Sequence, residues 1–232
     1  GNRDIAIEAY KRVIRNSYSK EKVETAHLEI IKIMRENGDN KSAAKKIKTM
    51  LSNDKFASIS SKLELELARY YLAESKVEEG INRLQTIVKS YPRTEYSAEA
   101  YYYLGGIYLK AKSDLSKASE FYSNVKKEYS RSVFLTESNK RIKSINDFID
   151  TKEELLKYRE AIKDSSLTDS IKSITNIVNK EELLYKLGLI EIDVFKNLDN
   201  GIDYLLEIVE SKTKSDYRSK ALFALSYFLS TD

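Results

Sequence analysis

The segment LGGIYLKAKSDLSKASEFYSNV, residues 104–125, returns without a gap as LGLIEIDVFKNLDNGIDYLLEI at 187–208. Leu104-Gly105 falls on Leu187-Gly188, Asp114-Leu115 on Asn197-Leu198, and Ala118 on Gly201. A second echo sets the period. Lys89-Ser90-Tyr91-Pro92-Arg93-Thr94 recurs as Lys127-Glu128-Tyr129-Ser130-Arg131-Ser132, with Tyr91 and Tyr129 38 residues apart. Self-similarity at this spacing is the mark of stacked supersecondary units. Such units build extended surfaces for binding and scaffolding more readily than reaction pockets.

Working outward, the repeat reduces to a small residue, a large apolar one four positions later, and another three beyond that. Ala6, Tyr10 and Val13 fit it, then Ala43, Ile47 and Met50, then Gly80, Leu84 and Ile87. Ala118, Tyr122 and Val125 follow, and finally Gly201, Leu205 and Ile208. These spacings place all three residues on one helical face. Before each small residue except Ala6 another helix carries its own stripe, such as Ile30, Ile31 and Met34, or Leu67, Ala68 and Tyr71. Gly80, Gly105, Gly106, Gly188 and Gly201 all lie inside amphipathic stretches, where glycine costs ~1 kcal/mol relative to alanine. Close approach of neighbouring helices is the reason expected for that cost. Gly38 is placed as a helix stop. Ser61 with Glu64, Thr151 with Glu154, and Asn179 with Glu182 have the spacing of capping boxes, and Asp114 is placed to cap the helix carrying Ala118.

Composition agrees with an almost entirely helical chain. One proline and seven glycines in 232 residues are few breakers, and no sustained alternation signals strands. Charged residues make up 33%, but 40 basic against 36 acidic side chains leave a net charge of only +4. That is too little for a nucleic-acid surface, so no nucleic-acid partner is expected. The absence of cysteine removes disulfides, thiolate metal sites and thiol nucleophiles. The longest apolar run, Ala221 to Leu229, is about half the ~20 residues a membrane span needs, so direct membrane insertion of this segment is not expected. The chain opens on Gly1 with its apolar pattern starting at once at Ile5, and reads as an excised piece of a longer protein, entered midway through one unit and left midway through another.

Residues 131–180 are irregular. Ile142, Ile145 and Ile149 make one helical stripe and Leu155, Tyr158 and Ile162 another. Asp164-Ser165-Ser166 reads as a loop, and Leu167, Ile171, Ile174 and Val178 as a further short helix. The expected organisation is therefore repeats over 1–130, a divergent helical connector over 131–180, and repeats over 181–232, in one continuous solenoid.

This arrangement resembles the tetratricopeptide repeat, whose unit is two antiparallel helices. Tyr101, Leu104, Gly105, Tyr108, Ala118 and Tyr122 carry the signature, and Pro92 closes the preceding unit. Glu191 stands where the family has tyrosine, and His27 and Glu64 stand where it has a bulky aromatic. The resemblance covers 1–130 and 181–232. The spelling Tyr91-Pro92-Arg93-Thr94-Glu95-Tyr96 leading into Ala98 resembles a bacterial cell-envelope branch that includes the lipoprotein of the outer-membrane β-barrel assembly machine. It implies an all-α, right-handed α-solenoid of antiparallel helix pairs, periplasmic or outer-membrane-associated in preference to cytoplasmic. It also implies a concave face, lined by first helices, that binds a protein or peptide partner. Position by position, that face is Leu28, Lys32 and Arg35; Leu65, Arg69 and Leu72; Tyr102, Gly106 and Leu109; Tyr185, Leu189 and Ile192; and Phe223 with Tyr227. The carboxylate clamp of chaperone-binding members is not implied, because Leu28, Leu65 and Tyr102 interrupt it. Along this row Lys32, Arg35 and Arg69 are expected to make the first half cationic, with the remainder apolar and aromatic.

Catalytic signals are thin, and neither enzymatic activity nor a cofactor nor a metal is expected. The sole histidine, His27, lies one turn before Ile30 and reads as a core or interface residue. Gly105-Gly106 lacks the Gly-Lys-Ser/Thr ending of a phosphate loop. Glu153-Glu154 and Glu181-Glu182 are adjacent helical residues pointing ~100° apart, better suited to helix N-termini than to acid–base work. Tyr101 and Tyr108 fill the packing face, which leaves Tyr102 or Tyr103 as an interface anchor. The alternative to a binding groove is an architectural spacer that self-associates through exposed terminal units, with Leu222, Leu225 and Leu229 uncovered at the C-terminal end.

Overall fold

The computed structural model describes residues 2–163, 179–211 and 215–230. Eleven α-helices and no strand occur among them. They are α1 (Asn2–Asn16), α2 (Lys20–Glu36), α3 (Asn40–Leu51), α4 (Ser60–Ala73), α5 (Val77–Ser90), α6 (Glu95–Lys110), α7 (Leu115–Glu128) and α8 (Leu135–Lys163). After them come α9 (Lys180–Ile190), which runs into a π turn (Glu191–Phe195), then α10 (Leu198–Glu210) and α11 (Asp216–Leu229). A 3₁₀ turn, Asp54–Ile59, leads into α4.

Four helical hairpins, α2–α3, α4–α5, α6–α7 and α9–α10, turn by one device. A residue in the left-handed region comes first: Gly38 at φ 79°, Ser75 at 57°, Ser113 at 50° and Lys196 at 58°. The next residue is the N-cap of the second helix, and its carbonyl accepts from the small residue four positions on. Ala43 N donates to Asp39 O at 3.1 Å, Gly80 to Lys76 at 3.0 Å, Ala118 to Asp114 at 2.9 Å and Gly201 to Asn197 at 3.2 Å. In the first hairpin Asp39 N also reaches Met34 O at 2.9 Å, and in the second Lys76 N reaches Tyr71 O at 2.8 Å, the Schellman closure. In the other two the closing bond reaches one residue further back, Asp114 N to Tyr108 O and Asn197 N to Glu191 O, both at 2.9 Å. In the last, the π turn absorbs the additional residue.

The small residue is small because the partner helix lies on it. A Cβ on Gly80 would stand 2.7 Å from Leu72 Cδ2, and one on Gly105 2.8 Å from the Tyr122 ring. On Gly201 it would meet Ile192 Cγ1 at 2.3 Å and the Gly188 carbonyl at 2.8 Å. Each helix packs on the next in sequence; α2 also touches α4, α4 touches α6, and α9 touches α11, so first helices lie side by side. The buried residues form a strip of three clusters between successive helices. This helical-repeat packing is compatible with an α-solenoid. None of the described helices is long and apolar enough to cross a membrane.

Several local expectations change. Ser61 is not a cap: α4 begins at Ser60 behind Ile59, without a side-chain cap, and Ser61 is buried. Thr151 lies inside α8 and donates to the Asp147 carbonyl at 2.6 Å. With no breaker between 135 and 163, both halves of the expected connector are one 29-residue helix. Its buried stripe is Ile145, Phe148 and Leu155, while Ile149 and Ile162 face outward. Arg141 fastens it by donating to the Val194 carbonyl at 2.9 Å, and Arg159 by pairing with Glu207 at 2.6 Å. Asn179 and Asp114 cap as expected, accepting from Glu182 N at 3.2 Å and Lys117 N at 2.9 Å. The loop expected at 164–166 and the helix expected at 167–178 lie outside the described residues. Leu225 is buried against its neighbours, whereas Leu222 and Leu229 are exposed.

Candidate partner-binding face

The face shared by α2, α4 and α6 is built around a polar ladder and a cleft. Arg35 Nε donates to Glu66 at 3.1 Å, Glu66 also holds Arg69, and Arg69 Nη2 reaches Glu99 at 2.5 Å and Tyr103 Oη at 3.2 Å. The Arg69 guanidinium stands 5.5 Å from the Tyr103 ring centroid. Burial opposes the charge on Arg69, but Glu66, Tyr103 and Glu99 outweigh it and hold the group above the usual arginine range. Glu99 is pushed up, since burial exceeds the help it receives from Arg69. The ladder carries two cations and two carboxylates. The cationic first half of the row is therefore not what forms: Arg35 and Arg69 are neutralised, and Lys32 is left exposed on α2.

Beyond the ladder a cleft of 540 Å³ opens between α4, the start of α5, α6, α7 and α8. Leu72, Val77, Ile107 and Leu109 make it apolar; Tyr102, Tyr103 and Tyr122 form an aromatic wall; Lys110 supplies positive charge, and Arg141 lines it as a cation already paired through Nη2 with Glu137 at 2.9 Å. Tyr102 packs against Phe134 with ring centroids 4.9 Å apart and, at a steeper tilt, against Tyr122 at 5.8 Å. Burial raises both phenols, Tyr122 to about 12, so they remain neutral donors at physiological pH. Arg141 donates to Glu137 at 3.0 Å, which orients it.

Gly106 lies on this cleft and differs from its neighbour. Gly105 is required by the Tyr122 ring, but a Cβ on Gly106 would find nothing closer than Tyr122 Oη at 3.7 Å, an ordinary contact. Packing does not demand this glycine.

The structure brings Leu72, Tyr102, Gly106 and Leu109 together in the cleft, with Arg69 joined through Tyr103. Leu28, Lys32 and Arg35 do not line it. Leu65 and Ile192 are core residues, 4% and 7% exposed: Leu65 packs with Ala68 and Leu84, and Ile192 fills the space over Gly201. Tyr185 stacks on Tyr217 at 5.7 Å, and Leu189 is half-buried beside it on α9. Phe223 and Tyr227 stand exposed on α11, at 75% and 57%. Sequence reasoning missed Glu66, Glu99, Tyr122 and Arg141. Glu66 with Arg69 was readable as an i,i+3 pair; the others depend on how far adjacent helices are displaced. Around His27 the lining is Lys11, Arg15 and Lys46 with a single carboxylate, Asp39, and no group of three or more potential metal ligands occurs among the described residues.

Compared with known proteins, the chain matches no protein-family model and no curated protein sequence.

Proposed function

We propose that this chain is a non-catalytic scaffold of tetratricopeptide type, a right-handed superhelix that holds a protein or peptide partner against its first-helix face within a bacterial envelope complex. The observation that carries the reading is Gly106. A mid-helix glycine weakens a helix by roughly 0.5–1 kcal/mol relative to alanine, and here no neighbour needs the space. An apolar, aromatic-walled cleft left open at that point suits an anchor side chain from a partner, and Tyr102 and Tyr103 offer large contact area with polar tips. Lys110 on the rim favours an anchor flanked by acid. A peptide library selected on the immobilised protein tests this. Enriched sequences should pair an apolar anchor with acidic neighbours and lose affinity for Gly106→Leu, which fills the cleft without entering the core. Selected peptides that bind Gly106→Leu unchanged contradict the reading.

The exposed Phe223, Tyr227, Leu222 and Leu229 on α11 favour a second reading, an architectural segment that self-associates. Sedimentation of the chain against Phe223→Glu/Tyr227→Glu distinguishes it: a concentration-dependent dimer lost in the variant supports a spacer, and a monomer in both opposes it.

A further inference from the structure

Helix α1 is amphipathic yet buries none of its residues. Ile7 and Ile14 stand two turns apart on it, ~10 Å along the axis, and each is only half-buried. Beside them a cleft of 510 Å³ runs between α1, α2 and α3, floored by Ile7, Ile14, Ile30 and Met34. Its polar lining carries three cations, Lys11 and Arg15 from α1 and Lys46 from α3, together with His27 from α2 and Asp39. Arg15 is engaged with Glu8 at 2.8 Å, and Lys11 approaches the same carboxylate at 3.8 Å. Lys46 faces burial and the like charge of Lys11, which together hold its ammonium below the usual lysine range. His27 Nδ1 is buried without a hydrogen-bond partner in the protein, and the ring meets Phe56 edge-on at 5.1 Å. Burial and Lys46 lower the histidine too, keeping the imidazole neutral at physiological pH.

We infer that this cleft binds an alkyl carboxylate, with the chain along Ile7, Ile14, Ile30 and Met34 and the head group between Lys46 and Lys11. The volume falls in the range of small-ligand sites. Glu8 already stands beside Lys11 and Arg15, whereas Lys46 meets burial and the like charge of Lys11, which an anion placed between the two lysines relieves. An extended peptide would introduce backbone N–H and C=O groups that side-chain methyls cannot pair. A helix, ~10–12 Å across, would rest on the rim. An aliphatic chain brings neither cost. Asp39, the one acid in the lining, lies seven residues from Lys46, ~10 Å along α3, which sets the head group at the Lys46 end.

Titrating the full chain with octanoate and with 1-octanol, below micelle formation, tests the inference by NMR. His27 is the only histidine, so its ring resonance is isolated. Octanoate should shift amides of α1–α3, bind about ten-fold more tightly than octanol, and raise the pKa of His27, since a nearby anion favours the imidazolium. Lys46→Met should bring octanoate down to the affinity of octanol, and Lys46→Arg should restore the difference. Equal affinity for the two ligands, shifts centred outside α1–α3, an unmoved His27, or unchanged octanoate binding in a folded Lys46→Met overturns it. Absence of saturable octanoate binding to the unaltered chain overturns it as well, whatever the fate of the variants.

Discussion

Gly105 and Gly106 are adjacent, yet one is held by packing and the other is not. The same distinction separates Gly106 from Gly201, whose missing Cβ is claimed by Ile192 and by the Gly188 carbonyl. Gly201→Ala should therefore lower stability by about 1–3 kcal/mol, because backbone must move to admit a methyl group. Gly106→Ala should be neutral or raise stability by up to ~1 kcal/mol. Denaturant melts of the two variants decide the matter, and equal losses would remove the special status of Gly106. Glu191 makes a second residue-scale prediction. It is 6% exposed, and burial raises its carboxyl despite hydrogen bonds with Asn200 and Asn197 and the charge of Lys152. An acid raised in the folded state lends stability that is full below its unfolded value of 4.5 and lost as pH rises through the folded value. Relative to the unaltered chain, Glu191→Gln should gain stability progressively above that point and show no gain below it. A difference in melting temperature that stays flat with pH would contradict the assignment.

At the scale of the element, the hairpin turn is the unit that recurs most faithfully. The small residue and its two apolar followers were legible because they obey helical spacing. The left-handed residue five positions earlier was legible only at Gly38, since Ser75, Ser113 and Lys196 carry no glycine to announce it. A non-glycine residue in that region costs ~1–2 kcal/mol. Ser75→Gly should accordingly raise stability by about 1 kcal/mol, read from thermal unfolding, and a loss would show that the serine is needed for something other than the turn. Start signals were less secure. Asn179 and Asp114 hold their N-termini, but Thr151 sits in unbroken helix, because a capping sequence acts only where the chain has already stopped being helical. Nothing between Leu135 and Lys163 stops it.

For the molecule as a whole, consecutive packing of helices followed from the recurrence of the small residue at 6, 43, 80 and 118, every 37 or 38 positions, whereas the character of the shared face did not. Arg35 and Arg69 read as free cations in the sequence. Glu66 beside Arg69 is a local i,i+3 pair, but the Arg35–Glu66 and Arg69–Glu99 contacts join residues about 30 positions apart, which no local pattern reveals. Of the apolar residues that the family resemblance put on this face, Leu72, Tyr102, Gly106 and Leu109 line one cleft, which Tyr122 and Arg141 complete from neighbouring helices, while Tyr185, Leu189, Phe223 and Tyr227 lie elsewhere. The central claim is that a partner is held on this face. A photo-crosslinking amino acid placed at Lys110, on the rim of the cleft, and separately at Lys127, exposed on α7, tests it directly in cells that make the protein. The account predicts one discrete protein adduct from position 110 that is absent from 127; identical adducts from both positions, or none from 110, would contradict it.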